Sequence, residues 1–349
     1  MKYRYLGKTG VQVSSLCYGT MSFGGDADEA MSGKLWARCR EAGINFFDCA
    51  NVYNGGRAEE ILGRLLVSCR DEVVVTSKAF FPVGTDLNAR GASRRHLVLA
   101  VNESLRRLGT DRLDFYFLHA FDPHTPIEES LAALDDLVGQ GKILYTAVSN
   151  WAAWQIATAL GISARQELAR FACLQPMYNL VKRQAEVEIL PLAQAESLGV
   201  ISYSPLGGGL LSGKYAAAPV TVPVTAPSTE RAEGQSSADG RLTTNKMYAQ
   251  RYGDAAYYET AQRFNAHARE KGYQPATLAV AWVMAHPAIT APIIGARNVE
   301  QLEPSLRAVE VPMTPEWRAE ISAFSPAPPP ATDRSEEQQG HRYDGALQK

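Results

Sequence analysis

The chain has 349 residues, of which 46% are hydrophobic, and its formal net charge is −2 at pH 7. This near-neutral charge, without a basic stripe, argues against nucleic acid as the main partner, and no apolar run approaches the roughly 18 residues that a membrane span needs. The start of the chain lacks the charged and apolar regions of a secretory signal, so a cytoplasmic protein is expected. The five cysteines have no paired spacing, which favours reduced thiols.

The order of predicted elements begins with a hairpin, in which strands at residues 3–6 and 11–13 flank a turn at residues 7–10. Eight short apolar runs follow, separated by amphipathic stretches in the manner of βα units. The predicted strands are residues 16–18, 44–47, 73–77, 113–118, 143–148, 173–177, 200–203 and 290–293. Nearly continuous apolar strands are typical of parallel sheets, and eight are the number that a closed barrel needs. The predicted fold is therefore α/β, a single (β/α)8 TIM barrel.

One predicted helix, between the third and fourth barrel strands, has clear boundaries. Apolar residues at positions 97, 98, 101, 105 and 108 lie on one stripe of a helix from Arg94 to Leu108. Ser93 is a suitable N-cap, and Gly109 is a suitable C-terminal stop.

Two regions interrupt the βα repeat. Residues 216–253 contain Pro219, Pro223 and Pro227 with a Ser- and Gly-rich centre, and they show little periodicity. A connection of this length is either a lid over a cofactor or a surface insertion, and its place after the seventh barrel strand favours the lid. Residues 325–349 are Pro-rich and polar, which predicts a partly disordered tail after a barrel domain of residues 1–324.

Four polar residues follow three successive predicted strands. Asp48 and Tyr53 come after the second barrel strand, Lys78 after the third and His119 after the fourth. Because consecutive positions are separated by about one βα unit, these side chains are expected on adjacent strands at the carboxyl rim, where barrels carry their active sites. Taken singly, each has a plain structural alternative as a turn, surface or packing residue.

The chemistry of carbonyl reduction explains why these four types would be needed together. A tyrosine has a pKa near ~10, and a neighbouring ammonium such as that of Lys78 lowers it. A buried Lys78 requires a carboxylate partner, for which Asp48 is suited. His119 would orient the substrate oxygen or share the proton of Tyr53. Cys49, beside Asp48, would be an oxidation-sensitive thiol if the lysine charge lowers its pKa.

Five ordered segments resemble the aldo-keto reductase family. They are residues 48–59 (DCANVYNGGRAE), 116–126 (YFLHAFDPHTP), 149–151 (SNW), 175–179 (QPMYN) and 203–214 (YSPLGGGLLSGK). The resemblance extends to about residue 310. It implies a barrel whose base is closed by the N-terminal hairpin and which reduces a small aldehyde or ketone with NADPH. Tyr53 is then the acid, supported by Asp48, Lys78 and His119.

A separate set of residues is expected to bind the cofactor. The glycines at 207–209 let backbone amides approach an anion, and Lys214 is placed to neutralise a pyrophosphate. Arg297, after the eighth strand, suits the 2′-phosphate of NADPH, with an exposed helix-cap arginine as the alternative. The resemblance places Tyr203 against the nicotinamide ring. The expected cofactor contacts are Gly19, Met21, Asp48, Ser149, Asn150, Gln175, Tyr203, Ser204, Leu206, Gly208, Lys214, Ile294, Gly295, Arg297 and Gln301.

An aromatic pocket is expected for the substrate, which favours a bulky or apolar carbonyl compound. Its predicted walls are Phe23, Tyr53, Phe80, Phe81, His119 and Trp151. The alternative function is a non-catalytic NADPH-binding subunit, because residues 205–215 also resemble potassium-channel β subunits. Those relatives lack a histidine at the position of His119, which favours the enzyme. No metal-ligand set accompanies His119 at the rim, and both a monomer and a homo-oligomer remain possible.

Overall fold

Eight parallel strands close into a barrel in the computed structural model, which describes residues 1–215, 242 and 245–334. The hairpin strands are β1 (Tyr3–Tyr5) and β2 (Gln12–Ser14). The barrel strands are β3 (Cys17–Gly19), β4 (Phe46–Asp48), β5 (Val74–Ala79), β6 (Leu113–Leu118), β7 (Ile143–Ser149), β8 (Phe171–Gln175), β9 (Gly199–Ser202) and β10 (Ala291–Ile294). Each strand pairs with the next, and β10 closes the ring against β3, so the predicted (β/α)8 barrel is confirmed.

Most strand boundaries differ from the predicted ones by one or two residues, whereas β6 has the predicted bounds. The clearest difference is β8, predicted at residues 173–177 but found at Phe171–Gln175. Pro176 follows directly and has no N–H to donate, so the regular ladder ends before it. Beyond it, Met177 makes an isolated bridge to Tyr203.

Helices surround the barrel. They are α1 (Glu29–Glu41), α2 (Arg57–Leu66), α3 (Arg94–Leu108), α4 (Ile127–Gly139), α5 (Ala153–Gln166), α6 (Ile189–Ala195), α7 (Lys246–Tyr252), α8 (Ala255–Glu270), α9 (Pro275–Met284), α10 (Val299–Leu306) and α11 (Pro315–Ser322). The bounds of α3 are the predicted ones: the Ser93 side chain accepts from the amide of His96, and Gly109 has a left-handed φ of 61°. In the described part of the chain, no helix has the length and apolarity to cross a bilayer.

The N-terminal hairpin closes the base of the barrel, as the resemblance implies. Leu6 and Val13 are fully buried and pack with inward-facing barrel residues such as Phe46 and Phe115. The approach is so close that a Cβ on Gly199, the first residue of β9, would lie 2.4 Å from the Leu6 side chain. The hairpin therefore covers the base of the barrel and leaves the opposite, carboxyl rim as the end where the predicted site residues lie.

The predicted lid at residues 216–253 lies mostly outside the described residues, as does the tail from residue 335 onward. The end of the predicted lid is not irregular, because residues 246–252 form α7. Asn245 caps this helix, and Tyr248 and Tyr252, four residues apart, bury their rings on one face. The Tyr252 hydroxyl donates to Ser204 Oγ at 3.1 Å, which fixes α7 against the loop after β9.

Candidate active site

The four polar residues predicted at the rim come together in space. Asp48 ends β4, Lys78 is the penultimate residue of β5, and His119 directly follows β6. Tyr53 begins a short 3-10 turn, Tyr53–Gly56, between β4 and α2. The three strands are neighbours in the barrel, so their ends present these side chains to one space.

Lys78 is the centre of this cluster. Its Nζ lies 2.6 Å from Asp48 Oδ2, donates to the Cys49 carbonyl oxygen at 2.7 Å and lies 3.2 Å from the Tyr53 hydroxyl. The Lys78 side chain is 0% exposed and that of Asp48 is 3% exposed. A buried ammonium is stable only when it is paired and its protons are satisfied, and all three N–H bonds have acceptors here.

The second oxygen of the Asp48 carboxylate is also held. Asp48 Oδ1 accepts from Thr76 Oγ1 at 2.8 Å and from Gln175 Nε2 at 2.9 Å. Thr76 lies opposite Asp48 in the register of β4 and β5, which places the two side chains together. Thr76 was not predicted from the sequence, although its position two residues before Lys78 puts both side chains on the same face of β5.

The ionisation of the cluster differs from the expectation that Lys78 lowers the pKa of Tyr53. Burial raises the pKa of Tyr53 to about 12; the Lys78 charge lowers it but does not outweigh burial together with the Asp48 charge. Burial alone would lower the pKa of Lys78, but the charges and hydrogen bonds of Asp48 and Tyr53 together outweigh burial, and the net pKa is raised. Burial also raises the pKa of the Cys49 thiol despite the Lys78 charge, so the condition set for an oxidation-sensitive thiol at this position is not met.

His119 is a neutral imidazole at the edge of the cluster. Burial and the neighbouring Lys78 charge place its pKa well below the usual value. Its Nδ1 is buried and has no hydrogen-bond partner among residues 1–215, 242 and 245–334. Its ring packs edge-on against Tyr53, with centroids 6.0 Å apart, and its backbone carbonyl accepts from Asn150 Nδ2 at 2.9 Å.

The turn that carries Tyr53 depends on Asn54, which the sequence analysis also missed. Asn54 has a left-handed φ of 50° and is followed by Gly55 and Gly56 with φ of 65° and 94°. Its Nδ2 donates to the backbone oxygens of Met21 at 3.0 Å and Phe23 at 2.7 Å. Asparagine followed by glycines is a sequence signal for such a turn, because these residues tolerate positive φ.

Polar residues expected to bind the nicotinamide lie beside Asp48. Ser149 Oγ donates to the Gln175 backbone oxygen at 2.9 Å, and Asn150 Nδ2 also reaches Ser149 Oγ at 3.1 Å. The Tyr203 hydroxyl donates to Asn150 Oδ1 at 2.7 Å. Asn150 has a φ of 60°, an uncommon conformation that is frequent at functional sites. A cavity of about 360 Å³ includes Asn150, Gln175 and Tyr203 among its lining residues.

The glycine loop after β9 has a left-handed backbone. Gly207, Gly208 and Gly209 have φ of 57°, 67° and 100°, so all three are left-handed. Glycine adopts such conformations without steric cost, and the lack of a side chain allows another group to approach the backbone closely. A Cβ on Gly209 would lie 3.0 Å from Lys214 Nζ, which shows that the ammonium lies against this loop. Leu206 begins the same turn, and its carbonyl accepts from the Gly209 amide at 3.0 Å.

The segment after β10 packs against the end of β3. A Cβ on Gly295, the residue after Ile294, would lie 3.4 Å from the backbone oxygen of Gly19. The amide of Arg297 donates to Gln301 Oε1 at 3.3 Å, at the start of α10. The Arg297 guanidinium pairs with Asp26, with Nε 3.2 Å from Oδ2. The expected cofactor residues thus lie at or after the ends of β3, β4, β7, β8, β9 and β10, all at the carboxyl rim.

The predicted aromatic walls are only partly brought together. The Phe81 ring packs edge-on against His119, with centroids 4.9 Å apart, and against Phe80 at 5.3 Å. Trp151 follows Asn150 and is 5% exposed. Phe23 does not line an open pocket, because it is fully buried with its ring 5.8 Å from that of Tyr18. The sequence could not distinguish a phenylalanine that lines the pocket from one that packs in the core, since both types of phenylalanine occur in loops at the rim.

Comparisons with known proteins identify the family of this chain and several relatives. The sequence model of the Aldo/keto reductase family matches residues 15–325. The chain is 34% identical over 343 residues to the "Uncharacterized oxidoreductase YrpG" of Bacillus subtilis, covering 94% of this chain and 97% of that protein. It is 35% identical over 345 residues to a "Probable voltage-gated potassium channel subunit beta" of Oryza sativa, and the match covers 95% of this chain and 99% of that protein. A protein of the same description from Arabidopsis thaliana is 34% identical over 318 residues, and the match covers 89% of this chain and 92% of that protein.

The barrel, its polar rim and these relatives define an oxidoreductase built on a (β/α)8 fold. The chain belongs to the aldo/keto reductase family, whose members act on small carbonyl compounds and generally use NAD(P)H.

Proposed function

We propose that this protein reduces an aldehyde or ketone to the alcohol with NADPH, and that Tyr53 donates the proton. The observation that carries the proposal is the position of Lys78 Nζ, 2.6 Å from Asp48 Oδ2 and 3.2 Å from the Tyr53 hydroxyl. A hydroxyl held beside a paired, buried ammonium is suited to give up a proton as negative charge develops on a substrate oxygen.

The chemistry of the residues fits the cofactor. Bound NADPH would supply the hydride. Amide and hydroxyl groups of Ser149, Asn150 and Gln175 would hydrogen-bond its carboxamide, and the flat ring of Tyr203 would lie against the nicotinamide. The left-handed glycines at 207–209 and Lys214 would hold the pyrophosphate, and Arg297 would bind the 2′-phosphate. Gly19 and Ile294, two further expected contacts, lie beside each other, since a Cβ on Gly19 would be 3.6 Å from the Ile294 backbone oxygen.

The proton step follows from the ionisation of the cluster. With a pKa of about 12, Tyr53 is fully protonated at neutral pH and therefore available as an acid. When its proton passes to the carbonyl oxygen, the phenolate that remains is stabilised by the adjacent Lys78 ammonium. Asp48 keeps Lys78 charged and held in place. The raised pKa limits the acid strength of Tyr53, and the lysine charge offsets part of that limit.

His119 would bind the carbonyl oxygen through the other ring nitrogen. A neutral imidazole carries one N–H, and a proton on Nδ1 would be a buried donor without a partner in the described part of the chain. Such an unsatisfied donor costs about 1–3 kcal/mol, so the proton is expected on Nε2. His119 can then donate to the substrate oxygen while Tyr53 transfers its proton.

The substrate is expected to be a bulky or apolar carbonyl compound. Phe81 is 39% exposed and its ring contacts that of His119, so a substrate oxygen at His119 places its carbon skeleton near an aromatic surface. Aromatic walls of this kind accept apolar groups with limited discrimination.

The proposal is tested by assaying the purified protein with NADPH and NADH against a panel of aromatic and aliphatic aldehydes and ketones. Tyr53→Phe should lower kcat by at least ~10²-fold and leave NADPH binding nearly unchanged. Tyr145→Phe is the matched control, because the Tyr145 hydroxyl donates to Thr9 in the hairpin at the opposite end of the barrel. Wild-type turnover by Tyr53→Phe would contradict its role, and NADPH binding without turnover of any carbonyl would instead support the non-catalytic subunit.

A further inference from the structure

Arg297, the residue proposed to bind the 2′-phosphate, already has an anionic partner. Its Nε lies 3.2 Å from Asp26 Oδ2, with the two side chains 31% and 49% exposed. A phosphate that binds Arg297 would therefore meet a carboxylate on the same guanidinium. NADH has no phosphate at this position, so its binding brings no second anion to the Arg297 guanidinium.

Asp26 is held at this place by the fold. It lies in the loop between β3 and α1, which is joined to the segment after β10 by the Ser22 hydroxyl, donating to the Ala296 backbone oxygen at 2.8 Å. On the other side of Asp26, the buried Ala27 donates its backbone amide to the Ser22 backbone oxygen. These contacts fix the backbone on both sides of Asp26, so the residue remains next to Arg297 when a ligand approaches.

We infer that Asp26 is a specificity-determining residue that opposes NADPH relative to NADH at the Arg297 site. The inference rests on the proposed function, since it requires Arg297 to bind the 2′-phosphate. Binding of that phosphate must either separate the Asp26–Arg297 pair or place two anions on one guanidinium. The cofactor preference of this chain is therefore weaker than Arg297 alone would give.

The size of the effect follows from the exposure of the pair. An exposed ion pair contributes little, and repulsion between Asp26 and a doubly charged phosphate is screened by water and salt. Removing the Asp26 charge should consequently tighten NADPH binding by about three- to tenfold at low ionic strength. The affinity for NADH should change by less than about twofold, because NADH places no 2′-phosphate beside Asp26.

The test is a fluorescence titration of NADPH and NADH against four proteins: wild type, Asp26→Asn, Arg297→Ala and the double variant. Asp26→Asn should tighten NADPH selectively, and the gain should shrink as salt is raised from low to high concentration. In the Arg297→Ala background the Asp26→Asn substitution should have a much smaller effect, since the shared guanidinium is gone. Binding is measured directly, so turnover is not needed.

Asp28→Asn is the matched control. Asp28 caps α1 by accepting from the Met31 amide at 2.8 Å, and asparagine caps helices as well as aspartate does. This variant removes the same charge two residues away and should leave the ratio of NADPH to NADH affinity unchanged.

Three results would overturn the inference. Unchanged or weaker NADPH binding by Asp26→Asn would mean that Asp26 does not oppose the phosphate, or that it positions Arg297 productively. An equal gain with Asp28→Asn would indicate a general field effect. If Arg297→Ala weakens NADPH and NADH equally, the assignment of Arg297 fails and the inference fails with it, whereas the proposed reduction at Tyr53 is judged separately by the carbonyl panel.

Discussion

Gln175 Nε2 lies 2.9 Å from Asp48 Oδ1, which joins a residue proposed to bind the nicotinamide to the carboxylate that pairs with Lys78. The Gln175 side chain reaches this carboxylate from β8, across the inside of the barrel from β4. The proposed cofactor contacts and the proposed acid cluster therefore share one hydrogen-bond network. A change in Gln175 should affect both.

Gln175→Met and Thr76→Val form a pair that separates these two roles. Both substitutions remove a donor to Asp48 Oδ1, and each should lower the free energy of unfolding by about 1.5–3 kcal/mol, the range for hydrogen bonds to a charged group. Only Gln175→Met should also weaken NADPH binding. Urea unfolding and cofactor titration measure the two effects. If Thr76→Val weakens NADPH as much as Gln175→Met does, the contact of Gln175 with the cofactor is not supported.

The Lys78–Asp48 pair gives a second prediction. Lys78→Met leaves a buried carboxylate without its ammonium and should destabilise the protein by about 3–5 kcal/mol. The double variant Lys78→Met with Asp48→Asn removes both charges and should recover much of that stability without recovering activity. The measurements are urea unfolding and turnover of each single and double variant. Recovery of turnover in the double variant would mean that the ammonium is not required for the acid.

Much of the site was predictable because the period of the βα unit fixes which side chains meet. The separations of Asp48, Lys78 and His119 place them on β4, β5 and β6 whatever the details of packing. The boundaries of α3 were also predictable, since Ser93 and Gly109 carry local signals. These features depend on local sequence or on regular topology.

The features that the sequence did not predict depend on contacts between segments that are distant along the chain. Asp26 and Arg297 are far apart in the sequence, and no local sequence pattern predicts their ion pair. The burial of Phe23 depends on how the loop after β3 folds over Tyr18. The pKa of Tyr53 depends on burial and on the opposite charges of Lys78 and Asp48, whereas the expectation from the sequence considered only the lysine charge.

The raised pKa of Tyr53 predicts how the two directions of the reaction respond to pH. Its value of about 12 keeps the proton on Tyr53 from pH 6 to 9, so the reduction rate should not be limited by loss of this proton. Alcohol oxidation requires the phenolate, whose fraction rises by about tenfold per pH unit below the pKa. Oxidation should therefore accelerate steeply with pH, as measured by single-turnover formation of NADPH. Tyr53→Phe should abolish this dependence, and a pH-independent oxidation rate in the wild type would contradict Tyr53 as the base.

The last prediction concerns stability in acid and uses His286, which is remote from the rim cluster. Burial, with the Arg318 charge, lowers the pKa of His286 to about 4. The unfolded value is about 6.5, so between pH 6.5 and 4 the unfolded chain binds more protons than the folded one. The stabilising contribution is therefore complete above pH 6.5 and is lost as the pH falls through that window.

His286→Asn should make the free energy of unfolding less sensitive to acid. His286 Nδ1 accepts from the Ala288 amide at 3.1 Å, and an asparagine oxygen can take over that acceptor role. The slope of stability against pH between 6.5 and 4 should fall by about 1 kcal/mol per pH unit, measured by urea unfolding at several pH values. His124→Asn is the matched control, because the same substitution there replaces an exposed residue. An unchanged slope in His286→Asn would show that His286 is protonated in the folded protein across this window, and that its burial does not exclude the charge.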